Sequence, residues 1–458
     1  MPARAAAWAI VGYLAAMVLR LGGNVILTRM LVEEAFGLMS IVNVVLVGLA
    51  LFSDIGIGPS IIQNHRDDAR FLNTAWTLQV GRGVVLCLVA AVLGVPLAEA
   101  YDQPILAQLM PAAGISAALA GFNSSKLFTL NRQLSVGRLT LIEIAAQAAG
   151  LVVMLGWAFV SPTVWALVIG GVVVYTTKML LSHALPGIKN RFAWDHEAAR
   201  AVIRFGRWIF VSTLLTFLVS HADRLIFAKL IPIGLLGVYS IALLIASFPS
   251  QALLNLAQTI TFPLYSRTWR EGGDLVRVFQ GARAKLLLLG GWALAGLVAG
   301  GPTAIELLYD ERYVDAGWIV QILAAGGWFG VLEATTGAAL LAREQPHWVA
   351  AGSGAKLVGM IAFIPVGFHV AGFPGALVGY AAAELLRYAV SVGAATRAGL
   401  RSWPQDIAMS SVVAVSALAG WLGAKAAADA PIVIEALVVF VVVSLVWAPV
   451  LARRLKRA

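Results

Sequence analysis

The sequence predicts an all-α polytopic membrane protein with about fourteen transmembrane helices. Of its 458 residues, 60% are hydrophobic and 12% are charged, with a mean hydropathy of +0.86, whereas soluble domains carry roughly 25% charged residues. Runs such as 84–98 and 434–452 are long and apolar enough to cross a hydrocarbon core about 30 Å thick. Positive charge also alternates between successive loops. Together these observations exclude a soluble globule.

Fourteen apolar runs separated by polar breaks define the expected helices. They cover 8–31, 36–62, 73–97, 105–130, 138–160, 162–185, 205–230, 234–264, 283–301, 316–341, 348–370, 373–397, 405–427 and 432–452. We expect an N-terminal lobe of six helices (1–185), a basic cytoplasmic connector forming an amphipathic hinge (186–204), a second lobe of six helices (205–400), and a C-terminal helix pair with a basic tail (401–458).

The distribution of Lys and Arg predicts the topology. Alternate loops are poor in positive charge, namely 99–104, 161–163, 309–317 and 369–374. The other loops carry Arg66, Arg70, Arg132, Arg138, Lys189, Arg191, Arg200, Arg204, Arg207, Arg267, Arg270, Arg277, Arg283, Lys285, Arg343, Arg397 and Arg401, and the tail carries Arg453, Arg454, Lys456 and Arg457. Because positive loops stay in the cytoplasm, both termini are expected there. The net charge of +10 is therefore a topology signal, and no nucleic-acid partner is expected.

The chain contains an internal repeat. Residues 25–41 align without gaps on 225–241, with Gly37 on Gly237, at an offset of 237 − 37 = 200 residues. About six spans separate the copies, an even number, so both copies cross the membrane in the same direction. This arrangement predicts two lobes related by an axis along the membrane normal, as in many transporters.

Ionisable residues inside the expected spans are the candidate functional groups. A charge at the middle of a span costs at least about 2.5–3.5 kcal/mol, so it normally faces a protein interior or a wet cavity. The candidates are Arg20, Asp54, Arg82, Glu143, Asp223, Arg224, Glu333, Lys356, Glu384 and Arg387.

Arg20, Asn24 and Arg224 are the expected wall of a substrate cavity. Asn24 follows Arg20 by one helical turn on the same face, and the repeat places Asn24 on Arg224. Helices 1 and 7 therefore present polar groups at matching depths, where alternating-access transporters bind substrate. The alternative is a structural ion pair that ties helices together.

The carboxylates have two open interpretations each. Asp223 either meets a cation on another helix or takes up a proton or Na⁺. Asp54 precedes Gly56, Gly58 and Pro59, which are expected to break or kink helix 2, so it is either a gate or cation site or a cap of the broken helix. His221 is expected to be an interfacial residue.

Further charged residues suit packing roles. Glu143 with Gln147, and Glu384 with Arg387, are spaced as pairs within a helix and suit contacts either within or between helices. Arg82, Lys178, Glu333 and Lys356 lie nearer the cytoplasmic ends, where long side chains can snorkel to water. No metal-ligand spacing, P-loop, nucleophile motif or nucleotide loop is present, so no cofactor is expected.

Three stretches resemble a known family. Residues 223–267 contain Asp223 and Arg224 together, Gly237 with Tyr239, and the Phe262-Pro263 pair; residues 36–63 contain an Asp before a Gly-rich helix end; residues 130–155 contain an Arg-rich loop entering helix 5. These stretches resemble the bacterial polysaccharide transporters, the O-antigen and exopolysaccharide flippases of the multidrug/oligosaccharidyl-lipid/polysaccharide exporter superfamily.

The resemblance implies a V-shaped, two-lobed transporter in the bacterial plasma membrane, not an enzyme. Its substrate would be a polyprenyl-pyrophosphate-linked oligosaccharide, moved from the cytoplasmic to the outer leaflet by alternating access. The implied partners are this substrate, membrane lipids, H⁺ or Na⁺, and a glycan polymerase or chain-length machinery. The expected substrate-binding residues are Arg20, Asn24, Arg224, Arg82, Lys356 and Gln147, and the expected coupling or gating residues are Asp54, Asp223, Glu143 and Glu333.

Other functions remain open at this stage. A lipid-linked peptidoglycan precursor flippase would share the cationic cavity. A cation-coupled multidrug exporter of the same superfamily should favour carboxylates over arginines. A membrane-embedded glycan polymerase or ligase would need a sizeable outer loop, whereas the most acidic outer loop, 309–317, is short.

Overall fold

The computed structural model describes residues 2–53, 56–63, 68–133 and 135–455 and is built of helices, with no strand among those residues. Ten helices in the described part are long and apolar enough to cross a membrane. The chain is therefore an all-α multi-pass membrane protein, as predicted. It folds into two compact units, Met1–Gly237 and Val238–Ala458. The predicted division into lobes of six, six and two helices stays a prediction.

The described residues of the first unit form nine helices and the start of a tenth. They are α1 (Pro2–Met30), α2 (Glu33–Phe52), α3 (Ile57–Gln63), α4 (Ala69–Ala100), α5 (Leu106–Gly121), α6 (Lys126–Arg132), α7 (Val136–Val160), α8 (Trp165–Ala184), α9 (His196–Leu230) and the first turn of α10 (Ile233–Leu256). Within this unit α4 packs along α5, α7 packs against α1 and α8, and α9 packs against α2.

The expected break in helix 2 is confirmed. Helix α2 ends at Phe52 and α3 begins at Ile57, after Gly56 with a φ of +67°. Glycine adopts positive φ without the steric cost that other residues meet. Pro59 is the third residue of α3, where a missing N–H costs no helical hydrogen bond. Asp54 lies outside the described residues.

The sequence repeat is also a structural repeat within the first unit. The breaks between α1 and α2 and between α9 and α10 lie 200 residues apart. A Cβ on Gly37 would lie 2.0 Å from the carbonyl oxygen of Ile233, and a Cβ on Gly237 would lie 2.0 Å from that of Glu33. Because Ile233 is the repeat equivalent of Glu33, the contact is symmetric. The repeated glycine therefore lets the starts of α2 and α10 approach backbone to backbone.

The amphipathic hinge expected over 186–204 stays a prediction, and the structure describes the path of its first half. Residues 185–195 contain no helix, and α9 begins only at His196. Three alternate backbone N–H groups donate hydrogen bonds to side-chain oxygens near the start of α4: Arg191 to Asn73 at 3.1 Å, Ala193 to Thr77 at 3.1 Å and Asp195 to Thr74 at 3.1 Å. Because alternate residues of an extended chain point the same way, this segment lies along α4 as a strap.

As far as the structure describes it, the second unit consists of the rest of α10 and six further α-helices. A π-helical turn (Ala257–Thr261) joins α10 to α11 (Phe262–Arg270). The remaining helices are α12 (Leu275–Leu308), α13 (Ala316–Ala342), α14 (Pro346–Arg397), α15 (Trp403–Ala426) and α16 (Ile432–Leu455). Helix α12 packs against α13, α15 and α16, around a core that includes Leu294, Trp328 and Trp447.

Helix α14 contains a hairpin turn. Ala371 and Gly372 have non-helical backbone angles, and Gly372 has a φ of +62°. A Cβ on Gly379 would lie 2.3 Å from the carbonyl oxygen of Phe363, so the two halves of α14 run side by side. This geometry confirms the separate helices predicted over 348–370 and 373–397.

One arginine expected among the loop charges is buried. Arg283 lies inside α12 with 0% exposure. Its guanidinium is ion-paired with Asp406 of α15 and donates to Thr335 Oγ1 at 2.9 Å and to the carbonyl of Leu332 at 3.2 Å. The loop assignment of Arg283 is therefore wrong, because a basic residue next to an apolar run can equally pair within the bundle.

Candidate functional site

The first unit contains a cavity of about 680 Å³ lined by residues of α2 through α8. Apolar side chains and small residues form much of its wall. Its polar lining residues are Asn43, Gln79, Arg82, Ser116, Asn123, Asn131, Glu143, Tyr175 and Lys178. Because polar groups among membrane spans are costly unless they meet water or a ligand, this cavity is the candidate functional site.

Two glycines shape the wall where α4 crosses α5. A Cβ on Gly83 would lie 2.8 Å from the Cα of Gly121, and a Cβ on Gly121 would lie 2.8 Å from the carbonyl oxygen of Gln79. Small residues allow such close approach of helices in membranes. The close approach lets Gln79 Nε2 donate to the carbonyl oxygen of Gly121 at 3.0 Å and to that of Asn123 at 3.1 Å. These carbonyl groups lie at the end of α5, where no further helical N–H is available to them.

Arg82 joins α4 to the end of α2. Its Nε donates to Ser53 Oγ at 2.9 Å, and its guanidinium also donates to the carbonyl of Ala50. A cation at a helix C-terminus is favoured by the helix dipole. Arg82 is half-buried and lines the cavity, so these contacts hold its positive charge at the cavity wall.

Glu143 and Lys178 form an ion pair at the cavity wall. Lys178 Nζ of α8 lies 2.6 Å from Glu143 Oε2 of α7, with side-chain exposures of 31% and 40%. Gln147, one turn along α7, donates to Glu143 Oε1 at 3.2 Å. Of the two interpretations left open for Glu143 and Gln147, both kinds of contact form: Gln147 donates within α7, and Lys178, which was expected to snorkel, pairs with Glu143 from α8.

Arg20 contributes a further cation near this pair. It is exposed on α1, which packs against α7, and it lies close enough to Glu143 to attract the carboxylate. Asn24 donates its side-chain N–H to the carbonyl of Arg20 at 3.0 Å. Asn24 therefore helps to fix the turn of α1 that carries Arg20.

Arg224 and Asp223 differ in their surroundings. Arg224 Nη1 lies 2.8 Å from His221 Nδ1, one turn earlier on α9, whereas Asp223 is buried with 2% exposure. His221 also packs its ring against Phe217, with centroids 5.2 Å apart. The contact between His221 and Arg224 was not predicted, although their i,i+3 spacing on one helix was the available signal.

The charged candidates of the second unit form buried ion pairs. Arg387 Nη2 lies 2.8 Å from Glu333 Oε2, and Lys356 Nζ lies 2.5 Å from Glu384 Oε1. Ser391 also donates to Glu333 at 3.4 Å. Of the two interpretations left open for Glu384 and Arg387, contacts between helices are the ones formed, since Lys356 and Glu333 lie on other helical segments.

Several cavity residues were not found from the sequence. The sequence did not single out four amide residues, because an isolated amide side chain has many structural uses: Asn43, Gln79, Asn123 and Asn131. The signal for Gln79 was its place one turn before Gly83 on a helix that also carries Arg82. Among the described residues, no group of three or more His, Cys, Asp or Glu side chains is arranged to hold a metal ion.

The fold and this cavity define a multi-pass membrane protein with a charged, polar chamber among its helices. A sequence profile described as the polysaccharide biosynthesis protein family matches residues 26–317. The chain belongs to this family, which confirms the resemblance drawn from its motifs.

Named relatives extend the comparison. The lipopolysaccharide biosynthesis protein WzxC of Escherichia coli (strain K12) is 23% identical over 393 residues, covering 84% of this chain and 79% of that protein. The teichuronic acid biosynthesis protein TuaB of Bacillus subtilis (strain 168) is 26% identical over 296 residues, covering 64% of this chain and 61% of TuaB. The chain is thus similar to proteins of two different polysaccharide pathways.

Solved structures share the fold. The lipid II flippase MurJ in an inward closed conformation matches with a TM-score of 0.76 and 11% identity, covering 98% of this chain and 100% of that chain. An inward-facing multidrug resistance transporter of the MATE family, from the MOP superfamily, matches with a TM-score of 0.63 and 12% identity, covering 86% and 96%. At these identities the likeness concerns the fold.

Proposed function

We propose that this protein is a flippase that moves a polyprenyl-pyrophosphate-linked oligosaccharide across the bacterial plasma membrane by alternating access. The observation that carries the proposal is a charged cavity among the spans of a chain in the polysaccharide biosynthesis protein family. WzxC and TuaB are named for the biosynthesis of lipopolysaccharide and teichuronic acid. A transporter of their lipid-linked building blocks fits a polytopic fold better than an enzyme does.

Charge supports a pyrophosphate ligand. Arg82 and Lys178 line the cavity, and Arg20 lies close to Glu143. These three cations outnumber the single carboxylate, and the excess of positive charge suits a dianionic pyrophosphate. Guanidinium groups also bind phosphate oxygens through paired hydrogen bonds. Arg224, Asn24 and Gln147 remain proposed contributors. Lys356 was expected to bind substrate too, and its pairing with Glu384 would have to open first.

The cavity volume supports a repeat unit over a finished polymer. Ligand pockets for small molecules span roughly 300–1,000 Å³, and the cavity of about 680 Å³ falls inside that range. A few sugar rings would fit, whereas a long polysaccharide would not. The lipid tail would remain in the bilayer, because hydrocarbon gains nothing by entering a polar cavity.

Glu143 offers a route to ion coupling. A bound pyrophosphate would compete with the carboxylate for Lys178, whose Nζ lies 2.6 Å away. The displaced carboxylate would then sit beside an anion, which favours uptake of a proton or Na⁺. Asp54, Asp223 and Glu333 remain further proposed coupling or gating residues. Cytoplasmic termini and contact with a glycan polymerase or chain-length machinery are also part of the proposal.

A peptidoglycan precursor flippase is the second candidate. The fold match to the lipid II flippase MurJ, with a TM-score of 0.76, favours it. The cationic cavity serves both, because both substrates carry a pyrophosphate. Loss of this protein would stop cell-wall synthesis in that case, but would stop only a surface glycan under the first proposal.

Deletion of the gene, followed by analysis of polyprenyl-linked intermediates, tests the proposal. Lipid-linked repeat units should accumulate on the cytoplasmic face and the surface glycan should disappear. Complementation with Arg82→Ala or Lys178→Ala should fail at normal membrane levels, whereas Arg138→Ala, which changes an exposed cation of α7 outside the cavity, should restore export. Unchanged glycan with altered drug sensitivity would refute the flippase assignment.

A further inference from the structure

Two residues that line the cavity each have a side-chain oxygen that accepts no hydrogen bond from any described residue. These oxygens are Gln79 Oε1 and Asn123 Oδ1, and both are buried. Gln79 is 8% exposed, and both residues line the cavity. A buried acceptor without a donor costs free energy, so this pair needs either water or a ligand that donates hydrogen bonds.

The orientation of the Gln79 amide is fixed by its surroundings. Its Nε2 donates to the carbonyls of Ala120, Gly121 and Asn123 at 3.2, 3.0 and 3.1 Å. A flipped amide would place Oε1 against three carbonyl oxygens, which are also acceptors. Oε1 therefore remains the free acceptor, and the bond to the Asn123 carbonyl keeps the two residues adjacent.

The two amide oxygens of Gln79 and Asn123 determine which chemical group of a ligand can bind beside them. Two amide oxygens repel phosphate oxygens, so a phosphate does not suit this place. A cationic ligand could donate hydrogen bonds, but Arg82 and Lys178 line the same cavity and would repel it. The ligand group must therefore donate hydrogen bonds and carry no positive charge. Neutral hydroxyl groups meet both requirements, because each hydroxyl donates one hydrogen bond.

Helix geometry places this pair next to a phosphate-binding group. Gln79 and Arg82 are three residues apart on α4, which puts them on one face with Cβ atoms about 5–6 Å apart. A sugar joined to pyrophosphate presents hydroxyl groups at a comparable distance from its phosphate. Arg82 and Lys178 can therefore meet the anionic group while the amides meet the adjoining ring.

We propose that Gln79 and Asn123 form a sugar-binding subsite that accepts hydrogen bonds from hydroxyl groups of the residue joined directly to the pyrophosphate. The inference rests on the proposed function and assigns a place in the cavity to the sugar. Recognition of the first sugar distinguishes a loaded lipid carrier from the bare polyprenyl pyrophosphate. The subsite would thus prevent the transporter from cycling with the unloaded carrier.

Binding of two probes to the full-length protein in detergent tests this subsite. The probes are a farnesyl-pyrophosphate-linked monosaccharide of the organism's own repeat unit and farnesyl pyrophosphate without sugar. The measured quantity is the ratio of the two dissociation constants. Asn123→Leu removes the acceptor but keeps the backbone carbonyl that receives Gln79, and Asn123→Asp keeps an acceptor. Gln108→Leu changes an exposed amide of α5 outside the cavity.

We expect wild type to prefer the sugar-bearing probe, and Asn123→Leu to reduce that preference about five- to tenfold, the worth of a lost hydrogen bond. Asn123→Asp and Gln108→Leu should keep the preference. An unchanged ratio in Asn123→Leu, or a wild-type protein that ignores the sugar, overturns the subsite while the flippase assignment stands. A wild-type protein that binds neither probe overturns both.

Discussion

Replacing Arg283 with methionine should destabilise the second unit strongly. The side chain is 0% exposed and is ion-paired with Asp406, and it also donates to Thr335 and to the carbonyl of Leu332. Removing one partner of a buried ion pair costs about 3–5 kcal/mol, because the other charge remains buried. Asp406 keeps one hydrogen bond, from the Tyr388 hydroxyl at 2.6 Å. We therefore expect the free energy of unfolding to fall by about 3 kcal/mol, the lower end of this range.

The assay is unfolding of the purified protein in detergent, followed by tryptophan fluorescence. Arg277→Met is the matched control, because Arg277 is exposed near the start of the same helix, and it should change stability by less than about 0.5 kcal/mol. The double variant Arg283→Met with Asp406→Leu should recover most of the loss, since apolar groups can replace a whole buried pair. A single variant that loses less than about 1 kcal/mol, or a double variant as unstable as the single, would refute this reasoning.

Two further predictions concern the first unit. Gly37→Ala and Gly237→Ala should each destabilise the protein by about 1–3 kcal/mol, because either Cβ would lie 2.0 Å from a backbone carbonyl oxygen. Gly22→Ala is the control, since a Cβ there would have nothing within 4 Å. Equal unfolding midpoints for all three variants would contradict the close approach of α2 and α10. Lys178→Met should change the free energy of unfolding by less than about 1 kcal/mol, because the ion pair of Lys178 with Glu143 is partly exposed and screened by solvent. The same variant should abolish glycan export in the complementation assay. Normal export would contradict the proposed place of Lys178 in the substrate path.

The features predicted from the sequence are those that neighbouring residues determine. The break after Phe52 follows from Gly56 and Pro59, and the turn at Gly372 falls in the short loop expected at 369–374, which contains Gly372 and Pro374. The repeat predicted from the sequence returns in the structure as the matching breaks before α2 and α10, whereas the close approach at Gly37 and Gly237 is seen only in the structure. Local backbone preference and hydropathy suffice for the breaks and the turn.

The partners of the charged residues required the three-dimensional structure. Glu384 and Arg387 are ideally spaced to pair with each other, yet Glu384 pairs with Lys356 and Arg387 with Glu333. Arg283 has the same local sequence character as a loop arginine, although it is fully buried. Which cation meets which carboxylate depends on the rotation and depth of neighbouring helices, and hydropathy carries no information on either.

The ion pairs of the two units differ in burial, and therefore in the free energy needed to open them. Glu333, Lys356 and Glu384 are 2%, 6% and 8% exposed, and opening an ion pair this far removed from water costs more than opening an exposed one, because it leaves single charges in a low dielectric. Glu143 and Lys178 have side-chain exposures of 40% and 31%, so exchanging one partner for a ligand phosphate costs little desolvation. We therefore propose the cavity of the first unit as the place where a charged substrate replaces existing contacts with its own.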